Sequence, residues 1–164
     1  MIKVLFETHH LYYLPNFLPV FDELKNRGKY DIYFSMPQQI NKRERDIFSL
    51  ACKNLGLNII DAEDEELRIK KILNSNFRVI LVANVGHVAK IASDNALTVM
   101  IYHGIGLKQS YYNDIDDRID IRSVESESRY EKLLLQSNSV NLALTGFTKI
   151  DPLYTSNEKV NISL

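Results

Sequence analysis

Short apolar runs recur along this whole chain, separated mostly by stretches of helical period, and they constrain its fold more than any other feature. A parallel strand covered on both faces by helices reads as a near-continuous β-branched or aromatic run, not as an alternation. Residues 78–83 (Arg-Val-Ile-Leu-Val-Ala) are the clearest such run, and residues 2–6 and 97–102 share its character; residues 30–35 predict a strand with Ile32 and Phe34 on one face, and residues 57–60 a short one. Residues 118–124 alternate Ile119 and Ile121 with Asp120 and Arg122, which predicts a strand with one polar face; residues 140–144 form the last run. The stretches between them carry helix signals. Pro15 suits a helix start, where its missing N–H costs nothing, and Phe17, Phe21 and Leu24 follow at helical spacing before a glycine stop at Gly28. Asn41 with Glu44 reads as a capping box ahead of the stripe Ile47, Phe48, Ala51 and Leu55, with Gly56 as the stop. Residues 62–74 place the acidic run 63–66 at the positive end of a helix dipole, as a solvated first turn, with Leu67, Ile72 and Leu73 as anchors. A short helix over 88–93 and another over 125–136, carrying Tyr130, Leu133 and Leu134, complete the set. The alternation predicts an α/β fold: a Rossmann-like parallel sheet of about seven strands flanked by helices.

Composition narrows the function classes. A chain of 164 residues is long enough for one well-buried core, read here as a domain over 1–154 with 155–164 as a polar tail or the start of a linker. A formal net charge of -1 gives no overall attraction to nucleic acid, so any anion site must be local. One cysteine, Cys52, allows no internal disulfide and fits a reducing compartment; it lies in an apolar helical pattern and reads as packing. No apolar run approaches the ~20 residues that cross a bilayer. The apolar start leads straight into a strand pattern, unlike a signal peptide. The expected location is cytoplasmic, compatible with peripheral attachment to the inner face of a membrane.

In an open α/β sheet, ligands bind in the crevice beyond the carboxyl ends of the strands. Three predicted strand ends carry titratable residues: His9-His10, Asn84-Val85-Gly86-His87, and His103-Gly104 followed by Gly106 and Lys108. None contains the G-x-G-x-x-G dinucleotide fingerprint, and no cofactor is expected. Adjacent His9 and His10 point in different directions, so one of them can face a ligand. No third ligand accompanies them, and no metal is expected. His87 faces the crevice or simply begins the next helix. On spacing alone, His103 to Lys108 is either a ligand site or a turn whose glycines let it bend beside a surface histidine and lysine.

The segment Tyr102-His103-Gly104-Ile105-Gly106-Leu107-Lys108 resembles the aromatic-His-Gly-x-x-Leu-Lys segment of the CDP-glycerol glycerophosphotransferase family, GT-B type polymerases of teichoic acids and capsules. Further on, Thr145-Gly146-Phe147-Thr148-Lys149-Ile150-Asp151-Pro152-Leu153 resembles the family's Gly-Phe-Pro-Arg-x-Asp-x-Leu, with Thr148 in place of the proline and Lys149 in place of the arginine. Upstream of residue 97 only a general GT-B layout is shared. The resemblance implies the acceptor-side half of a two-domain enzyme whose nucleotide-binding half follows this one. It implies transfer of glycerol phosphate, or a related alditol phosphate, from a CDP-linked donor to a polymer or lipid-linked acceptor of the cell envelope. His103 takes the role of catalytic base by this resemblance, Gly104 and Gly106 let the backbone approach substrate, and Lys108 and Lys149 offer charge to phosphate. His10 is an acceptor-contact candidate. The 164-residue chain alone is expected to be inactive. Two alternatives share the pattern: half of a sugar-nucleotide glycosyltransferase or UDP-sugar 2-epimerase-like enzyme, and a non-catalytic α/β partner subunit.

Overall fold

The computed structural model describes residues 1–102, 104, 118–136 and 141–155. Strands β1 (Ile2–Glu7), β2 (Tyr30–Ser35), β3 (Asn58–Ile60), β4 (Val79–Val82), β5 (Leu97–Met100), β6 (Ile121–Val124) and β7 (Asn141–Leu144) alternate with helices α1 (Leu14–Asn26), α2 (Lys42–Asn54), α3 (Glu65–Asn74), α4 (Val88–Ile91), α5 (Glu127–Gln136) and α6 (Asp151–Thr155). Single 3₁₀ turns precede α1 at Leu11–Tyr13 and α6 at Thr148–Ile150. The strands form one seven-stranded sheet in the order β3-β2-β1-β4-β5-β6-β7, with every neighbouring pair parallel. The predicted α/β Rossmann-like sheet is the observed one, its strands mostly shorter at their ends than the apolar runs that encode them.

The central strand explains the layering. Val4, Leu5 and Phe6 are all buried, so β1 has no wet face. On one side, Phe6 stacks on Phe34 of β2 at 4.8 Å between ring centroids and tilts against Phe17 of α1 at 5.2 Å. Phe21, Phe48 and Cys52 of α1 and α2 close that layer. Burial pushes the Cys52 thiol up to about 12, which leaves it a packed, unreactive side chain. On the other side, Leu5, Ile80 and Val82 meet Ile72 of α3 and Ile91 of α4.

The helices begin and end as their residues dictate. Pro15 lies at the start of α1, and Gly28 turns the chain beyond it at φ +65°. Asn41 Oδ1 accepts from the Glu44 N–H at 2.9 Å, and Asp64 Oδ1 from the Leu67 N–H at 2.7 Å, capping α2 and α3. Two sequence expectations are corrected here. Ile47, Leu55, Leu67 and Leu73 are substantially exposed, while α3 buries Arg68 beside Ile72. Arg122, expected on a polar face of β6, is buried, because an aromatic ring and a helix cover that edge.

After β1 the chain moves outward to β2 and β3; after β3 it returns across α3 to β4 on the other side of β1. The order therefore reverses between β1 and β4, and the crevice opens beyond their carboxyl ends.

Candidate functional site at the carboxyl edge

Two loops meet at the reversal: residues 8–10 after β1 and residues 83–87 after β4. Their contact is unusually close. Gly86 has φ +45°, and a Cβ placed on it would lie 1.9 Å from His9 Nε2 and 2.3 Å from its Cε1. Only glycine leaves room there for the imidazole. His87, the residue before α4, holds its ring 6.4 Å from that of His9 and makes no side-chain capping bond. Asn84 donates from Nδ2 to the Tyr13 hydroxyl at 3.0 Å, tying the β4 loop to the start of α1.

His9 is 6% exposed, yet neither ring nitrogen has a hydrogen-bond partner. Thr8 Oγ1, Glu7 Oε1, Asn84 Oδ1 and both polar atoms of the Asn16 side chain are likewise buried and unpaired. Each such group costs about 1–3 kcal/mol unless something satisfies it. Burial holds the His9 imidazole below the ordinary histidine value, against the opposing Glu7 charge, and His87 and Arg68 add to the lowering. The ring is therefore neutral near pH 7, with one donor and one acceptor nitrogen.

An ion network underlies this edge. Arg68 Nη1 donates to Glu7 Oε2 at 2.9 Å and to the Ser35 hydroxyl. Its Nε and Nη2 grip both oxygens of Glu65 at 2.8 and 2.6 Å. Burial works against the Arg68 charge, but Glu65 and Glu7 outweigh it and raise the guanidinium above its ordinary value. Burial also works against ionised Glu65, yet the Arg68 bond and the Gln38 N–H hold its carboxyl below the usual range. The acidic run is thus more than a solvated turn: Asp64 caps α3 and Glu65 anchors the arginine.

The carboxyl ends of β5, β6 and β7 form the adjoining part of the edge. Arg122 and Arg129 both lie over the Tyr102 ring, at 4.9 and 4.0 Å from its centroid. Arg129 Nη1 reaches both carboxylate oxygens of Glu125 at 2.9 Å. Tyr102 shares a small cleft with Ser123, Glu125, Gly146, Phe147 and Thr148. Gly146 adopts φ +78°, and Thr148 Oγ1 then donates to the Asn16 carbonyl at 2.8 Å, which carries the turn after β7 back to α1. Tyr102, which opens the first segment singled out above, therefore lies beside residues 146–148 of the second.

The predicted site residues distribute as follows. His103, Gly106 and Lys108 lie outside the described residues. Gly104 is half-buried in a bend two residues after Tyr102. His10 is stacked on Tyr12 at 5.2 Å and sits with Nδ1 3.3 Å from Glu44 Oε1, which also accepts from the Leu11 N–H. It is 41% exposed and faces α2, whereas His9 faces the β4 loop. Lys149 lines a groove of about 710 Å³ between α1 and α6, together with Asp22, Glu23 and Asp151. Sequence reasoning missed Arg68, Glu7, Arg129 and Asn16. Each matters through a partner far away in the chain, which no local pattern reveals. Among the described residues, no three His, Cys, Asp or Glu side chains group as a metal site, and no helix is long and apolar enough to cross a membrane.

Comparison with known proteins matches this geometry at the level of fold. No protein-family model and no curated protein sequence matches the chain. Among solved structures, it is similar to a protein of Listeria monocytogenes designated a UDP-N-acetylglucosamine 2-epimerase. The TM-score is 0.61 at 14% sequence identity, over 94% of this chain and 47% of that one. The chain thus spans about half the length of that neighbour, and its fold is that of a GT-B-like Rossmann domain.

Proposed function

We propose that this chain is the acceptor-side half of a GT-B type transferase that moves glycerol phosphate, or a related alditol phosphate, from a CDP-linked donor onto a cell-envelope polymer. The observation that supports it is that Tyr102, the first residue of one family-like segment, shares a cleft beyond β5 with Gly146, Phe147 and Thr148 of the other. Their residue types suit the chemistry. An acceptor hydroxyl attacks the β-phosphorus of the donor; the new O–P bond forms as the bond to the α-phosphate oxygen breaks, and CMP leaves. His103, next in sequence to buried Tyr102, takes the hydroxyl proton, since imidazole is the side chain suited to that task near pH 7. Lys108 and Lys149 supply positive charge toward phosphate. The nucleotide-linked donor occupies a second domain, and the polymer or lipid-linked acceptor brings the enzyme to the inner face of the membrane.

The likeness to the Listeria protein supports a second reading, in which the same half-fold serves a nucleotide-sugar enzyme. Nucleotide release separates the two. The gene product carrying this chain is expected to release CMP from CDP-glycerol when a glycerol phosphate acceptor is present, and His103→Asn to lower that rate by ~10²–10⁴-fold. Epimerisation or UDP release from UDP-N-acetylglucosamine, with no CMP from CDP-glycerol, would replace the first reading with the second.

A further inference from the structure

We infer that Arg122, Arg129 and Glu125 form a clamp on Tyr102 that sets where the chain presents His103, which makes them positioning residues of the carboxyl edge. The clamp draws on three elements. Tyr102 follows β5 and is 5% exposed, and its neighbour Ile101 donates its N–H to the Val82 carbonyl at 2.8 Å. Arg122 comes from β6 and Arg129 from α5; both are buried, and both guanidiniums lie over the Tyr102 ring. Glu125, between β6 and α5, holds Arg129 with both carboxylate oxygens. One ring, two planar cations and a carboxylate thus form a largely buried unit where the chain leaves β5.

Packing alone does not require charge here. The same three elements bury Met100, Val124 and Leu133. Taking a guanidinium out of water is costly, and well-packed apolar side chains often replace a buried ion pair with no loss of stability. What the charged set adds is a defined seat for the ring. A cation over an aromatic face and a bidentate carboxylate both demand a particular geometry. With its side chain held, Tyr102 has its backbone held too, and the next Cα, that of His103, follows one trans peptide away, about 3.8 Å. A base that takes a proton in a transition state needs such a fixed root, since a displacement of about 1 Å can cost ~10²-fold in rate. Neither arginine is asked to touch substrate, because both are enclosed and act through Tyr102. That His103 is a base rests on the function proposed above; the hold on Tyr102 does not.

The test reads His103 by NMR in the chain carrying ¹⁵N-labelled histidine, its ring signals identified by their loss in His103→Asn. Arg129→Met keeps most of the side chain's length and removes its charge and its fork. It should move the His103 ring signals, or change their titration with pH, and leave those of His9, His10 and His87 in place. Arg129→Lys decides where Arg129→Met fails to fold: an ammonium does not grip both Glu125 oxygens as a planar fork does, so the same shift is expected. An unmoved His103 ring in the folded variant overturns the proposal. Equal movement of all four histidines overturns it as well, since that would be a general loosening of the sheet. In the whole gene product, Arg129→Met should lower the kcat of CMP release by about 10–100-fold and leave KM for CDP-glycerol nearly unchanged. The fall should vanish in the His103→Asn background, because a residue that acts through His103 then has nothing left to position. A fall of the same size in that background refutes the positioning role. Absence of CMP release from the gene product would remove the function proposed above, and the His103 ring signals would still settle whether the clamp governs that residue.

Discussion

Gly86 and Arg68 are the residues on which the carboxyl edge depends, for opposite reasons: one supplies space, the other charge. Gly86→Ala puts a methyl where the His9 ring lies and imposes φ +45° on a residue with a Cβ. It should destabilise the fold by about 1–3 kcal/mol and shift the His9 ring signals, as read by denaturant unfolding and NMR. Unchanged stability and an unmoved ring would show that the cradle is not tight. Arg68 acts through burial. Replacing it with alanine strands Glu7, which is fully buried, and should cost about 3–5 kcal/mol. Adding Glu7→Gln to Arg68→Ala should recover part of that loss; no recovery would mean that the pair is not the cause. Acid stability separates the two titrations. The folded state disfavours protonated His9, so stability is full above the ordinary histidine value and falls as pH drops below about 6.5 toward its lowered folded value. Glu65 adds a second loss that begins lower, as pH falls from the ordinary carboxylate range through its lowered folded value. His9→Gln should remove the upper loss and keep the lower one; a fall between pH 7 and 5 as large in that variant as in the wild type would contradict the assignment.

Helices and strands follow from local signals, and their predicted costs are local too. Phe17 is fully buried between α1 and β1, so Phe17→Ala should cost about 3–5 kcal/mol in chemical denaturation. Asp64→Ala removes one capping bond on α3 and should cost about 0.5–2 kcal/mol. A larger loss for Asp64 than for Phe17 would mean that capping, not the aromatic core, holds the layers together. This is also the level at which the sequence was most legible. The run at 78–83 became β4 because parallel strands need apolar residues on both faces, and Asn41 capped the helix that its spacing with Glu44 announced. Legibility failed where a polar residue is buried by a remote partner. Leu67 and Leu73 looked like the anchors of α3, yet Arg68 goes inside because Glu7, 61 residues away, receives it. Arg122 looked like the wet side of β6, but Tyr102 and α5 roof it over.

At the scale of the molecule, the parallel order with its reversal between β1 and β4 brings loops distant in sequence to one edge. That edge was foreseeable, since three predicted strand ends carried histidines. Which of His9 and His10 faces it was not, because the choice depends on Glu44 pairing with one and Gly86 cradling the other. Under the proposed function, in which a second domain holds the nucleotide-linked donor, residues 1–164 alone are expected to release no CMP from CDP-glycerol. Robust release by the chain alone would refute this.

The central claim is that this chain holds an acceptor on its carboxyl edge, and amide mapping tests it most directly. A ¹⁵N-labelled chain titrated with oligo(glycerol phosphate) should show its largest shifts at residues 8–10, 84–87 and 104–108 and at 146–149. Shifts confined to the opposite edge of the sheet, at residues 27–29, 75–78 and 94–96, or no shifts at all, would contradict it.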